Sequence, residues 1–220
     1  MKKHLFAILL IVITCLAWAF AWPHLPDTIA THWSGGKVDG YSSKFYGMIS
    51  MVGIMIALYI FLNVIPKIDP RKANYEKFSK AFMMMNNGVL LLLFVGNIDI
   101  ITSGLGYNLF INRVPELLVG VLFLVMGNYL PQCKPNFFVG MRNPWTLSNE
   151  EVWRKTHRFS GKVFVALGII MIISVFAPAD WRTYMMLGII VVAVIITNLY
   201  SYVLYKRNTN VSYISQILYL

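Results

Sequence analysis

Six apolar runs, at residues 4–22, 45–66, 81–103, 113–130, 161–178 and 183–205, constrain this chain more than any other feature. A helix needs about 20 mainly apolar residues to cross a bilayer, and each run is close to that length. Hydrocarbon offers no water to backbone N–H and C=O groups, so such a segment must close its hydrogen bonds within itself, as an α-helix. Only 13% of the residues are charged, about half the share of a soluble domain. Too little sequence is left between the runs for a separate soluble globule. The expected fold is an all-α integral membrane bundle of six transmembrane helices.

The net charge is +10, which in a soluble protein would raise the question of nucleic acid. Its distribution gives another answer. With the N-terminus inside, the cytoplasmic segments hold Lys2, Lys3, Lys67, Arg71, Lys72, Lys77, Lys80, Lys134, Arg142, Arg154, Lys155, Arg158, Lys162, Lys206 and Arg207, fifteen of the nineteen Lys and Arg. The outer segments keep Lys37, Lys44, Arg113 and Arg182. This positive-inside bias predicts that both termini are cytoplasmic. It also predicts anionic lipids as partners of the basic inner segments, and no direct nucleic-acid partner. Residues 1–22 carry features of a secretory signal, Lys2-Lys3, an apolar run and Ala19-Phe20-Ala21. The run from Leu5 to Trp22 exceeds a usual signal core, so a retained first span is expected. Cys15 lies within that span and Cys133 on the inner side, which predicts no disulfide.

The connections carry more information than the spans. The outer loop 23–44 is punctuated by Pro23, Pro26, Gly35, Gly36 and Gly40, which predicts turns and short extended pieces rather than helix. Asp69-Pro70 reads as an N-cap followed by proline at the first helical position, so a basic inner helix should begin there. Asn112 is a further cap, with Pro115 and Glu116 in the first turn of span four. In the inner loop 131–160, Ser148 and Glu151 have capping-box spacing. The helix they start should be amphipathic and lie on the inner surface before turning into span five.

Few residues suggest chemistry. Asp99 is the one acid well inside a span, where an unpaired carboxylate costs about 2.5–3.5 kcal/mol, and Arg113 is a reachable partner. Glu116 at a helix start is stabilised by the helix dipole. These three are the outer-face candidates, read first as structural. His24, His32, Asp27 and Asp39 have no metal-ligand spacing, so no metal or cofactor is expected. No nucleophile–base set is recognisable, which argues against an enzyme. The inner loop gathers conformationally special residues: Asn128 and Asn136, which donate and accept, Pro135 and Pro144, Gly140 for a tight turn, and Arg142 for a forked anion contact. Trp145 and Trp153 suit a membrane interface. Thr146, Thr156 and His157 complete this set, and His157 is expected to pack rather than catalyse.

Asn128-Tyr129-Leu130, Lys134-Pro135-Asn136-Phe137-Phe138-Val139-Gly140-Met141-Arg142-Asn143-Pro144-Trp145-Thr146-Leu147, Glu151-Val152-Trp153 and Lys155-Thr156-His157-Arg158 together resemble the signature of the SdpI family. Asn143 departs from the pattern, which leads one to expect Thr. Leu25-Pro26-Asp27, His32-Trp33, Gly36, Asp39-Gly40 and Ser43-Lys44 resemble the small membrane module that often precedes the signature. The resemblance implies two parts, 1–110 and 111–220, and a multi-pass membrane immunity protein acting against a secreted peptide toxin. It further implies a receptor role, in which toxin-bound protein holds a cytoplasmic repressor at the membrane. The signature residues would then be the toxin- or partner-binding set. A small transporter, or a resistance paralogue of another role, is the competing reading. The scarcity of ionisable groups in the spans and the lack of a repeated half weigh against transport.

Overall fold

The computed structural model describes residues 2–34, 37–107 and 113–218. Asn112, Gly35 and Gly36, singled out above, lie outside the described residues. The elements run α1 (Lys2–Ala21), β1 (Thr28–Ser34), β2 (Lys37–Ser43), α2 (Lys44–Ile68), α3 (Ala73–Lys77), α4 (Ser79–Gly104), α5 (Val114–Tyr129), α6 (Pro144–Ser148), α7 (Glu150–Ser174) and α8 (Ala179–Leu218). Five helical stretches are long and apolar enough to cross a membrane: His4–His24, Lys44–Ile68, Ser79–Gly104, Glu150–Ser174 and Ala179–Thr209. The remaining run forms α5, whose 16 residues reach about 24 Å at 1.5 Å per residue.

Two sequence expectations fail at helix starts. Asp69 does not open a helix; it closes α2 as its C-cap, its N–H donating to the Ile65 carbonyl at 3.1 Å. The segment 150–160 does not form a separate surface helix that turns into span five. It is the first part of one continuous helix, α7, because nothing between Glu150 and Ser174 breaks the ladder. Its cap is Asn149, whose side chain accepts from the Glu151 and Val152 amides. The Ser148 hydroxyl donates instead to the Trp145 carbonyl.

The outer loop folds as an antiparallel hairpin of β1 and β2, an addition to the all-helical expectation. Its motif residues hold one another. Lys44 donates to the Leu25 carbonyl at 3.1 Å, lies 3.3 Å from the Asp27 carboxylate and sits over the Trp22 ring. His32 pairs with Asp39, and Gly40 lets the strands meet there, since a Cβ would come 2.8 Å from His32 Cβ. Leu25 and Ile29 pack with Trp18, Ala21, Ile100 and Ile101, which seats the hairpin on α1 and α4. Deeper in that pair, the Trp18 indole donates to the fully buried Asn97 side chain at 2.8 Å.

The α5–α7 pair rests on four glycines. Gly120 and Gly127 on one helix, Gly161 and Gly168 on the other, are each seven residues apart and therefore share a face. A Cβ on Gly127 would lie 2.8 Å from the Gly161 carbonyl, and one on Gly161 equally close to the Gly127 carbonyl. Gly168 and Gly120 repeat the contact at 2.9 and 3.1 Å. The antiparallel register is thus set by backbone touching backbone, as small residues permit in membranes. Gly127→Ala and Gly161→Ala should each cost about 1–3 kcal/mol by overpacking, read as thermal stability in detergent. Gly53→Ala, where an added Cβ meets nothing within 4 Å, should be neutral or better. Equal effects at all three positions would contradict this register.

Candidate functional site

The inner loop is anchored by an acid from another part of the chain. Asp69, only 2% exposed, accepts from the Arg71 amide at 2.7 Å, the Tyr75 hydroxyl at 2.9 Å and the Phe137 amide at 2.9 Å. Asn136 is fully buried. Its side-chain oxygen accepts from the Phe138 and Val139 amides at 2.9 and 2.6 Å, and its nitrogen donates to the Lys134 and Val139 carbonyls. Tyr75 also lies 3.3 Å from that oxygen. Asn74 donates to the Pro135 carbonyl at 2.7 Å, and the Arg71 guanidinium lies over the Phe137 ring. Burial, followed by the bond to the Asp69 carboxylate, raises the Tyr75 pKa, so Tyr75 stays a donor throughout the physiological range.

A second set of contacts fixes the middle of the loop to α7. Trp153 is 1% exposed and donates its indole N–H to the Cys133 carbonyl at 2.9 Å. It is therefore a core residue, not the interfacial one expected, because its ring stacks on His157 with centroids 4.1 Å apart. His157 Nε2 accepts from the Met141 amide at 3.1 Å. The proton must then be on Nδ1, which donates to the Trp153 carbonyl at 2.8 Å, giving a neutral ring. Gly140 has φ +104, and a Cβ there would fall on His157 Nε2, so backbone conformation and space both demand glycine. Cys133 sits in the aromatic cluster below, with Tyr75, Phe78, Phe82 and Trp153, and burial pushes its thiol pKa up to about 12.

The end of the loop is tied to α8. Asn143 caps α6, accepting from the Thr146 amide at 2.9 Å while its own amide donates to the Thr146 hydroxyl at 3.0 Å. That hydroxyl donates to the Met141 carbonyl at 2.8 Å. The Asn143 side-chain Nδ2 also donates to the Asn198 Oδ1 and Ser201 hydroxyl on α8, at 3.0 and 2.8 Å. A threonine hydroxyl has one proton and could serve only one of these acceptors. Pro144 occupies the first turn of α6, and Trp145 meets Tyr202 of α8 edge to face.

The signature residues therefore gather into one body, with three exceptions in kind. Arg142 is exposed and spends one N–H on the Phe137 carbonyl at 2.6 Å, leaving the rest of its fork open. Asn128 stands apart on α5, exposed, with its side chain on the Leu124 carbonyl. Thr156 is fully buried, and its hydroxyl, like that of Ser160, finds no partner among the described residues. Asn74 and Tyr75 were not singled out from sequence, and Asp69 was read only as a helix cap. Two acids, Asp69 and Glu76, stand among five cations between Lys67 and Lys80, and the proline beside Asp69 suggested a helix cap rather than a loop anchor.

At the opposite end, Asp99 borders a cavity of about 260 Å³ with Thr31, Trp33, Met51, Pro115 and Leu118. The Trp33 indole N–H has no partner among the described residues. Arg113 is exposed and does not pair with Asp99; no ion pair joins them within 4.0 Å. The two lie at the ends of different helices, so sequence proximity of the segments did not translate into contact. Glu116 is 6% exposed in the first turn of α5, and Arg182, at the start of α8, is 4% exposed.

Long apolar helices joined by an ordered loop at one end and a hairpin at the other define a multi-pass cell-membrane protein. Residues 132–201 of the chain match the SdpI/YfhL protein family, and residues 9–56 match a domain of unknown function, DUF1648. The chain is similar to Immunity protein SdpI of Bacillus subtilis (strain 168), with 28% identity over 208 residues covering 94% of this chain and 98% of that protein. No solved structure matches it significantly.

Asp69→Asn places an amide NH₂ where a carboxylate accepted bonds. Losing a charge-assisted bond worth about 1.5–3 kcal/mol should raise the open-loop population roughly tenfold to a hundredfold. In a Cys15→Ser background, Cys133 should resist maleimide at pH 8.5, because its buried thiol stays protonated, and Asp69→Asn should label faster by that factor. Rapid labelling of the parent protein would contradict the packed loop.

Proposed function

We propose that this chain is a membrane immunity protein that protects the cell carrying it against a secreted peptide toxin. The observation that carries the reading is the near-complete alignment with Immunity protein SdpI, which takes in both ends of the molecule. The reading takes six spans with both termini cytoplasmic. Charge bias supports the orientation. The close packing of α5 along α7, and its continuation as the turn Leu130–Gln132, support α5 as the fourth span. Two modules, 1–110 and 111–220, are consistent with family matches that fall one on each side of residue 110.

In this orientation the hairpin, the Asp99 cavity, Arg113 and Glu116 face the side from which a secreted toxin arrives. The loop anchored by Asp69 faces the cytoplasm, and a repressor held at the membrane would meet it there. The open fork of Arg142 suits a carboxylate on such a partner. Signalling from one face to the other requires that bound toxin favour one of two helix packings, and the tightly paired α1–α4 and α5–α7 are the elements that span the distance.

The test is survival of a toxin-sensitive bacterium expressing the protein at matched membrane abundance. Wild type should protect. Arg142→Ala, which removes a charge-assisted contact, should lower protection by about tenfold or more. Loss in Asp99→Ala with Arg142→Ala intact would move the working surface to the outer cavity. Failure of wild type against every related peptide toxin would overturn the immunity reading.

A further inference from the structure

The glycine register leaves a trough on the outside of the α5–α7 pair. Gly127 and Gly161 supply no side chains to fill it, and a surface groove of about 730 Å³ results, bordered by Asn128, Arg158, Lys162, Val165, Ala166 and Ile169. Its polarity runs in one direction. Arg158 lies at the loop end and Lys162 one turn deeper. Ala166 and Ile169 follow, the last about 16 Å from Arg158 at 1.5 Å per residue. Arg158, Lys162 and Ile169 are exposed on the helix surface, which in a bilayer means toward lipid or its headgroups.

Among the described residues neither Arg158 nor Lys162 has a carboxylate within 4.0 Å, whereas Lys155, on the same helix, pairs with Glu151 at 2.8 Å. Lys and Arg near a helix end extend toward the headgroup level while their stems cover apolar surface. The exposed Asn128 amide, with one N–H on the Leu124 carbonyl, has a second to offer at the same level. A paired guanidinium and ammonium above a greasy trough match a phosphodiester above an acyl chain.

We infer that the groove between α5 and α7 is a binding site for one anionic phospholipid. Its phosphate sits between Arg158 and Lys162, and its acyl chain lies along Val165, Ala166 and Ile169. The site is set by the bare Gly127–Gly161 contact, and it does not depend on the immunity reading. A bound lipid there would lie against the same helix that carries Trp153 and His157, one turn or more from the signature loop.

The experiment is native mass spectrometry of the purified full chain from mixed micelles containing phosphatidylglycerol and phosphatidylcholine with identical acyl chains. Each cation near a headgroup is worth about fivefold, so wild type should retain one phosphatidylglycerol with a preference on the order of twentyfold. Arg158→Gln with Lys162→Gln should abolish the preference. Arg154→Gln with Lys155→Gln, equal in charge but outside the groove, should retain it. Ala166→Trp, which fills the trough and leaves the charges in place, should displace the lipid, with a matched thermal melt showing that the fold persists. An unchanged preference in the groove variants, equal loss in the Arg154/Lys155 variant, or displacement of the lipid by inorganic phosphate would each overturn the proposal.

Discussion

A carboxylate buried at the end of a membrane helix must be met by donors, since leaving it bare costs several kcal/mol. Asp69 is met by three, and they come from two separate parts of the chain: the Arg71 amide and Tyr75 hydroxyl from the turn after α2, and the Phe137 amide from the loop after α5. That convergence is what turns a connecting loop into a folded element. Once Phe137 is held, Asn136 is placed to bond the two following amides, and the chain reaches Gly140 beside His157. It then returns to cap α6 against α8. Remove the first contact and each later one loses its geometric support.

The two ends of the molecule differ in kind as a result. At the loop end the polar groups of residues 136–146 are largely partnered within the described residues, with the Arg142 guanidinium spending one N–H on the Phe137 carbonyl. At the hairpin end polar groups are left with spare capacity around a cavity. In the proposed orientation the cavity faces outward and the ordered loop faces the cytoplasm. Sliding of α5 along α7 is opposed by the glycine contacts, which bring the two backbones together at two levels. A change of state would therefore be a jump between packings rather than a gradual shift.

Much of this architecture was legible in the sequence, for physical reasons that also mark where legibility stopped. Spans are local, requiring only length and apolarity, and four of the five long helical stretches follow their runs within four residues, while α7 begins eleven residues before its run. The extended outer loop followed from its glycines and prolines. The density of special residues between Asn128 and His157 identified the loop, and Gly140 behaves as its type suggests. Tertiary partners were not legible. Asp69-Pro70 fits a helix start as well as a helix end, and only the distant Phe137 decides between them. Trp153 carries the same sequence signal whether it sits at an interface or in a core; the difference is His157 one turn on, stacked upon it. Ser148 and Asn149 are both good caps, and the Trp145 carbonyl removed Ser148 from the competition. The glycine spacing of seven was visible in α5 and in α7 separately, but their opposition depends on an antiparallel register that no single segment encodes.

The most direct measurement of this account is amide hydrogen exchange across residues 134–147 in the membrane-embedded protein. The amide N–H groups of Phe137, Phe138, Val139 and Met141 each donate to a side chain of the folded loop or its neighbours. They should exchange as slowly as amides in the middle of α7, and Asp69→Asn should release them together. Exchange of these four amides at the rate of an open chain would contradict the claim that the loop is a folded element organised by one buried carboxylate.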